Sequence, residues 1–116
     1  MRHFVEELEL LKTKLLEMGA LVEASIQRSI TAVTQKDRAA AEEVFRNEQR
    51  INQIEIEIDD LAVNLLALNQ PMATDLRLIV AALKINTDLE RMGDLAANTA
   101  LRALSQIGRA SCRERV

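Results

Sequence analysis

The chain has 116 residues, enough for one domain with a modest core, and a formal net charge of −3. Apolar residues make up 48% of it and aromatic residues only 2%, while three Gly and one Pro leave long helices almost uninterrupted, so the composition favours an all-α protein. The negative charge and the lack of Tyr and Trp argue against a nucleic-acid-binding protein. A single Cys, no apolar signal core and no membrane-length apolar run predict a soluble, cytoplasmic protein.

The first predicted helix carries a seam whose residues are spaced alternately by four and three, the pattern of a helix packed lengthwise on others. The seam residues are Phe4, Leu8, Leu11, Leu15, Met18, Val22, Ser25, Ser29 and Ala32. Its later members are Ser and Ala, which allow close helix approach. The sequence Gln35-Lys36-Asp37 interrupts the pattern, and Asp37 is predicted to cap the helix that follows.

A second helix is predicted from about Arg38 to Asn69, and a third from near Met72 to about Gln106, with Pro71 separating them. The apolar stripe of the second helix consists of Val44, Ile51, Ile54, Ile58, Leu61, Leu65 and Leu68. Because both connections are short, neighbouring helices must run antiparallel. The predicted fold is therefore an all-α, up-down-up bundle of three long helices.

The last nine residues, 108–116, differ in character from the rest. They lack an apolar period and contain three Arg against one Glu, which reverses the local charge. We assign residues 1–107 to the helical bundle and interpret 108–116 as an added, non-native extension or a disordered tail.

A second stripe on the second helix is polar. It consists of Glu48, Asn52, Glu55 and Asp59, spaced by four, three and four residues. This stripe lies about 110° around the helix from the apolar seam, so it borders the core rather than opposing it. Its oxygen atoms are expected to meet ligands from a neighbouring helix.

The third helix repeats the arrangement with Asn86, Glu90, Asp94 and Asn98, each four residues from the last. We expect its apolar side to be formed by Ile85, Leu89, Met92 and Ala96, and Gly93 to leave room for a ligand or a backbone.

Carboxylates four residues apart on one helix repel each other, and a bound cation would convert that repulsion into chelation. Carboxylate and amide oxygens favour Mg²⁺, Ca²⁺, Mn²⁺ or oxidised iron, whereas one His and one Cys give little support to zinc. The alternative is an ordinary solvated face, with ion pairs from the basic residues of the third helix: Arg77, Lys84, Arg91 and Arg102.

Catalysis has little support in the sequence. A redox di-iron centre would require Glu-x-x-His motifs, which are missing. No nucleophile–base pair or Gly-rich phosphate loop can be proposed either. We therefore expect a protein that is not an enzyme.

Three sequence motifs are distinctive: QPMATDLR at 70–77 with DLERMGDLAAN at 88–98, INQIEIEID at 51–59, and EMGALVE at 17–23. Together they resemble the PhoU family of phosphate-uptake regulators. The resemblance runs from about residue 4 to residue 105. Because the motifs fall in order on the three predicted helices, we regard the match as specific.

The resemblance implies metal binding and a regulatory role. PhoU proteins contain two three-helix bundles, whose acidic motifs hold multinuclear clusters of iron or zinc, with magnesium or manganese also proposed. They restrain phosphate uptake without known catalysis, through a phosphate-specific ABC transporter and a membrane histidine kinase, and so reach the membrane only peripherally. Glu90 and Asp94 match the family's helix-three pair, and Glu55 matches a helix-two acid. The full set of candidate ligands is Glu48, Asn52, Glu55, Asp59, Glu90, Asp94 and Asn98.

Two departures from the family pattern matter. Asn52 stands where the family often has a second Asp, which leaves the number of bound metal ions open. Only one bundle is present, so the chain resembles the first half of a family member. A metal-free helical oligomerisation or docking module remains the alternative function.

The third helix also looks apolar on two faces. One carries Leu76, Ile79 and Leu83, and the other carries Leu78, Ala82, Ile85 and Leu89. A helix that is apolar on two faces is usually covered from two directions. We therefore expect a homo-oligomer, such as a homodimer in which each copy stands in for the other's absent half.

Overall fold

Three helices account for nearly all of the structure, a computed structural model that describes residues 2–69 and 71–114, with the side chains of 3–68 and 71–108. They are α1 (Arg2–Gln35), α2 (Arg38–Asn69) and α3 (Ala73–Glu114). Each helix packs against both others in a rod of 68 × 18 × 17 Å. The predicted all-α, up-down-up bundle is confirmed.

The joint between α1 and α2 is made by Lys36 and Asp37. Lys36 has a φ of 53°, in the left-handed region where a helix commonly ends. The Asp37 carboxylate accepts a hydrogen bond of 3.2 Å from the Ala40 backbone N–H, which confirms the predicted N-cap of α2. The chain therefore reverses within two residues, and α1 and α2 must lie side by side.

Two cores follow each other along the rod. The first consists of large aliphatic side chains: Leu8, Leu11, Met18, Val22, Ile51, Ile54, Ile58, Leu65 and Ile79, with Ala62 and Ala82. The second, nearer the α1–α2 joint, consists almost entirely of Ala: Ala32, Ala40, Ala41, Ala96, Ala97, Ala100 and Ala103, with Val44. Small side chains let the three helices approach closely at this end.

The rotation of α3 differs from the sequence-based expectation. Ile85 and Met92, which we placed on its apolar side, are 47% and 42% exposed, whereas Asn86 and Gly93 are buried. A Cβ atom on Gly93 would lie 3.5 Å from Ile51 Cδ1, an ordinary van der Waals distance, so Gly93 packs against the Ile51 side chain of α2. Small residues of α3, Gly93 and Ala96 among them, face the core, and Gly93 packs in the core rather than beside a ligand.

The expectation of two apolar faces on α3 was also largely wrong. Ile79 and Ala82 lie in the aliphatic core, and Leu78, Leu83 and Leu89 pack against it. Only Leu76 and Ile85 of the seven residues are exposed. A single core therefore covers most of the residues that were expected on two separate faces of α3.

Helix α3 continues to Glu114, eight residues beyond its predicted end. One Gly in a helix interior costs only about 1 kcal/mol, and no Pro follows it before the end of the chain. The domain boundary at residue 107 and the origin of the segment after it stay predictions. No helix in residues 2–69 or 71–114 is long and apolar enough to cross a membrane.

Candidate metal centre

Four carboxylates lie together where α2 packs beside α3. Glu48 and Glu55 are seven residues apart on α2 and therefore face the same direction, as do Glu90 and Asp94 one turn apart on α3. Because the helices run antiparallel, Glu48 lies towards Asp94 and Glu55 towards Glu90. We call these four residues the acid cluster. It lies on the flank of the bundle, and all four side chains are half-buried.

The electrostatics of Glu90 show how closely the four groups are placed. A hydrogen bond to Asp94 is the main cause that raises the pKa of Glu90 from 4.5 to about 7. Burial and the charges of Asp94, Glu55 and Glu48 raise it further. A hydrogen bond between two carboxyl groups needs a proton on one of them, and the raised pKa of Glu90 makes Glu90 the group that carries it.

The two acids on α2 are shifted in the same direction. Burial is the main cause that raises the pKa of Glu48, followed by the charge of Asp94 and a hydrogen bond to it. Burial also leads for Glu55, followed by the charges of Asp94 and Asp59. Each of these carboxylates is therefore more costly to ionise in the folded protein than in water.

The acid cluster has no basic partner within the described part of the chain. The ion pairs that link two helices there are Lys14–Glu57, Arg28–Glu43 and Arg50–Glu17, all between α1 and α2. None of the four basic residues named as possible partners, Arg77, Lys84, Arg91 and Arg102, pairs with the cluster. The negative charge of the cluster is uncompensated among these residues.

A buried amide joins the two helices beside the cluster. Asn86 is 3% exposed, and its Nδ2 donates a hydrogen bond of 3.0 Å to the backbone carbonyl of Glu55. Its Oδ1 is also buried and has no hydrogen-bond partner among the described residues. In the sequence, Asn86 is recognisable only as a member of the polar stripe of the third helix. Its burial depends on the rotation of α3, which the sequence pattern did not reveal.

The remaining candidate ligands lie at the margin of the cluster. Asp59 is exposed, and its charge acts on Glu55 from one turn away. Asn52 and Asn98 are exposed as well, and no contact in the described structure joins their amides to the acids. The three residues stay predictions as ligands.

The acid cluster is not a ready-made ligand shell. No three or more His, Cys, Asp or Glu side chains in the described ranges are placed to hold one metal ion as they stand. Asp94 is close enough to raise the pKa of Glu48, Glu55 and Glu90, yet no three of the four carboxylates are placed to hold one ion. Rotation of Glu side chains, which have three free torsions, would be needed to bring their oxygens together.

Comparison with known proteins identifies the family of the chain. The family model described as the PhoU domain matches residues 15–103. The chain belongs to the PhoU family. This confirms the resemblance carried by the three sequence motifs.

Two curated relatives are accessory proteins of the phosphate-specific transport system. The PhoU homologue of a Burkholderia species is 45% identical over 107 residues, which cover 90% of this chain and 46% of the relative. PhoU of Edwardsiella tarda is 41% identical over 106 residues, which cover 89% of this chain and 44% of the relative. The crystal structure of PhoU from Pseudomonas aeruginosa superimposes with a TM-score of 0.88 at 40% identity, covering 91% of this chain and 51% of that one. This PhoU-family chain thus spans about half the length of its relatives.

Proposed function

We propose that this chain is a regulatory module of phosphate uptake that binds a metal ion or a small metal cluster through Glu48, Glu55, Glu90 and Asp94. The observation that carries the metal part is the uncompensated acid cluster between α2 and α3. Without a cation, the charge of Asp94 raises the pKa of Glu48, Glu55 and Glu90, and a bound cation would reverse that cost. The buried, unpartnered oxygen of Asn86 lies next to the same contact.

The donor atoms fit hard metal ions. All four groups are carboxylates, which favour Mg²⁺, Mn²⁺ or oxidised iron, and zinc would bind here without the His or Cys it usually prefers. When bound, the metal would supply positive charge that holds α2 and α3 together at the cluster. Asp59, Asn52 and Asn98 would complete a larger cluster if more than one ion binds. Metal identity is left open by the donor set.

The regulatory part of the proposal rests on family membership. The relatives in Burkholderia and Edwardsiella tarda are named as accessory proteins of the phosphate-specific transport system. We propose that this chain acts in the cytoplasm on a phosphate-specific ABC transporter and a membrane histidine kinase, by binding rather than by catalysis. Its long, exposed helix faces suit docking to other proteins.

Metal content is the direct test. The purified chain would be analysed for iron, zinc, manganese and magnesium before and after chelation, then titrated with each metal by calorimetry. We expect at least one metal to bind stoichiometrically and to be lost when Glu90→Gln and Asp94→Asn are combined. A metal-free protein that also fails to take up any of the four ions would contradict the metal site and support the docking-module alternative.

The regulatory role has a separate test in cells. Phosphate uptake would be measured in a bacterium that lacks its own PhoU protein, with this chain or the Glu90→Gln/Asp94→Asn variant expressed. We expect the chain, but not the variant, to lower the uptake rate. Equal uptake with the chain and with an empty control would contradict regulation by this half-length protein.

A further inference from the structure

An amide interrupts the core-facing seam of α3. The residues of this seam are spaced alternately by three and four: Ile79, Ala82, Asn86, Leu89, Gly93, Ala96, Ala100 and Ala103. All the others are apolar or Gly, yet Asn86 is buried among them with only 3% of its surface exposed. A polar group in such a position costs free energy unless its hydrogen bonds are made inside the protein.

Fixing the register of the helices accounts for only one end of this amide. The Nδ2 group of Asn86 donates a hydrogen bond of 3.0 Å to the backbone carbonyl of Glu55, which holds α2 and α3 in one register. The Oδ1 atom is also buried and accepts no hydrogen bond from the described residues. An apolar residue at position 86 would continue the seam without that cost, so the unused oxygen needs a reason of its own.

Two acids of the acid cluster lie beside the unused oxygen. Glu90 is one turn further along α3 and faces the same direction as Asn86. Glu55 is the residue of α2 whose carbonyl the amide binds. No three His, Cys, Asp or Glu side chains in the described part of the chain are placed to hold one ion. An amide oxygen, which hard cations bind as they bind carboxylates, would supply a third donor at this end of the cluster.

We infer that Asn86 is a metal ligand, and that its Oδ1 forms a three-oxygen site for one divalent cation with the carboxylates of Glu55 and Glu90. This inference rests on the proposed metal binding at the acid cluster and adds a ligand from the core side. Two carboxylates balance the charge of a divalent ion, and a neutral amide adds a donor without adding repulsion. Oxygen-only sites with water in the remaining positions suit Mn²⁺, Mg²⁺ and Ca²⁺.

Burial distinguishes Asn86 from the other amides near the cluster. Its Nδ2 is bound to α2, so the position of its oxygen is fixed before any cation arrives. Asn52 and Asn98 are exposed, and each would have to be ordered on binding. A cation on Asn86 would also touch both helices next to the core. We therefore expect Asn86 to contribute more to metal affinity than either exposed amide.

Mn²⁺ is a suitable probe because the free ion gives an electron paramagnetic resonance signal that is lost on binding. The full chain would be titrated with Mn²⁺ alone. Asn86→Leu should weaken binding at least tenfold, a loss found even for residues that only orient metal ligands. Asn86→Asp should tighten it about tenfold, because affinity rises with the charge of the ligands. Circular dichroism would check that each variant is folded.

The melting temperature of the chelated chain separates a ligand from a purely structural residue. Asn86→Leu removes an unpaired acceptor, while the Glu55 carbonyl keeps its hydrogen bond within α2. Chelated Asn86→Leu should therefore melt at the same temperature as the unmodified chain or higher, and Asn86→Asp should melt lower because it buries a charge. A lower melting temperature of Asn86→Leu together with unchanged Mn²⁺ binding would overturn the inference.

Ser25→Ala is the matched control. Among the described residues, Ser25 Oγ is the other buried side-chain oxygen without a hydrogen-bond partner, but it lies on α1, which contributes no acid to the cluster. Its removal should leave Mn²⁺ binding unchanged, and an equal loss of binding in Ser25→Ala and Asn86→Leu would contradict a role specific to Asn86.

The outcome for the unmodified chain separates this inference from the proposed function. A chain that takes up iron or zinc but no Mn²⁺ would overturn the oxygen-only site at Asn86 and leave metal binding by the acid cluster standing. A chain that takes up none of these ions would contradict both. Mn²⁺ binding that is weakened by Asn86→Leu, and not by Ser25→Ala, would support both.

Discussion

Helix α2 presents Glu residues to both neighbouring helices, and the pKa of these residues shifts in opposite directions on the two sides. Glu57 faces α1, where its carboxylate lies 2.6 Å from Lys14 Nζ. The hydrogen bond to Lys14 is the main cause that lowers the pKa of Glu57, although burial opposes it. Glu55 is only two residues away but faces α3, where burial and the charges of Asp94 and Asp59 raise its pKa.

The difference lies in the sign of the neighbouring charge. Both Glu residues belong to the same helix, and both side chains are half-buried. Across the α1–α2 contact Glu17, Glu43 and Glu57 each pair with a Lys or an Arg, whereas on the α3 side acids meet acids. The first face therefore adds to the stability of the bundle, while the second gives some of it up, a loss that the proposed cation would offset.

The largest effect that should separate the two faces is stabilisation by metal. At a free concentration one hundred times its dissociation constant, a metal that binds only the folded chain should add about 2.7 kcal/mol to the free energy of unfolding. The combination of Glu90→Gln and Asp94→Asn should remove this gain. Thermal unfolding with and without the metal identified by elemental analysis measures it.

The matched control for this experiment lies on the α1 side of α2. Glu43→Gln combined with Glu57→Gln also removes two acids, but from pairs with Arg28 and Lys14. The metal-induced shift should survive this change. If it disappears, or if it persists without Glu90 and Asp94, the ligands have been assigned to the wrong face.

A smaller effect is expected from pH in the chelated protein. The pKa of Glu90 is raised to about 7, so Glu90 contributes stability that is fully present below its ordinary value of 4.5 and is lost as the pH rises through 7. The melting temperature should therefore fall by a few degrees between pH 5 and pH 8. Glu90→Gln should flatten this dependence.

Glu57 behaves in the opposite sense and provides the comparison. Because the pKa of Glu57 is lowered, its contribution to the stability of the fold is present above pH 4.5, its ordinary pKa. That contribution is lost only as the pH falls below 4.5. Glu57→Gln should thus leave the slope between pH 5 and pH 8 unchanged. A slope that persists in Glu90→Gln would mean that another group titrates in this range.

The smallest effect concerns the ion pair between Lys14 and Glu57. Both side chains are partly shielded from water, at 22% and 31% exposed, so the pair should add a small favourable coupling to the free energy of unfolding. A double-mutant cycle with Lys14→Met and Glu57→Gln, measured by urea unfolding, isolates this coupling. A coupling of zero would show that the lowered pKa of Glu57 has no counterpart in stability, which would weaken the contrast between the two faces.

Much of the fold could be predicted from the sequence because helix boundaries are local. Asp37 and Pro71 mark the joints through capping and the missing N–H, and neither depends on tertiary contacts. The rotation of α3 could not be predicted in this way. Ile85 is more hydrophobic than Gly93, yet Ile85 is exposed while Gly93 faces the core and packs against the Ile51 side chain.

The same distinction applies to the acid cluster. Spacing alone grouped Glu48 with Glu55 and Glu90 with Asp94, because residues on one helix share a face by geometry. The hydrogen bond from the Asn86 amide to the Glu55 carbonyl depends on how α3 is rotated against α2. So does the lack of a basic partner for the acid cluster within the described residues. Sequence periodicity does not indicate how one helix is rotated against its neighbour.

The short joints of the bundle have a consequence for the order of folding. Both helical hairpins, α1–α2 through residues 36–37 and α2–α3 through 70–72, close locally, which favours rapid folding. The α1–α2 hairpin forms with opposite charges facing each other, whereas the α2–α3 hairpin must bring four acids together. At neutral pH without metal, we expect the first hairpin to form earlier and α3 to dock on it, so that protons or cations at the acid cluster set the rate of the final step.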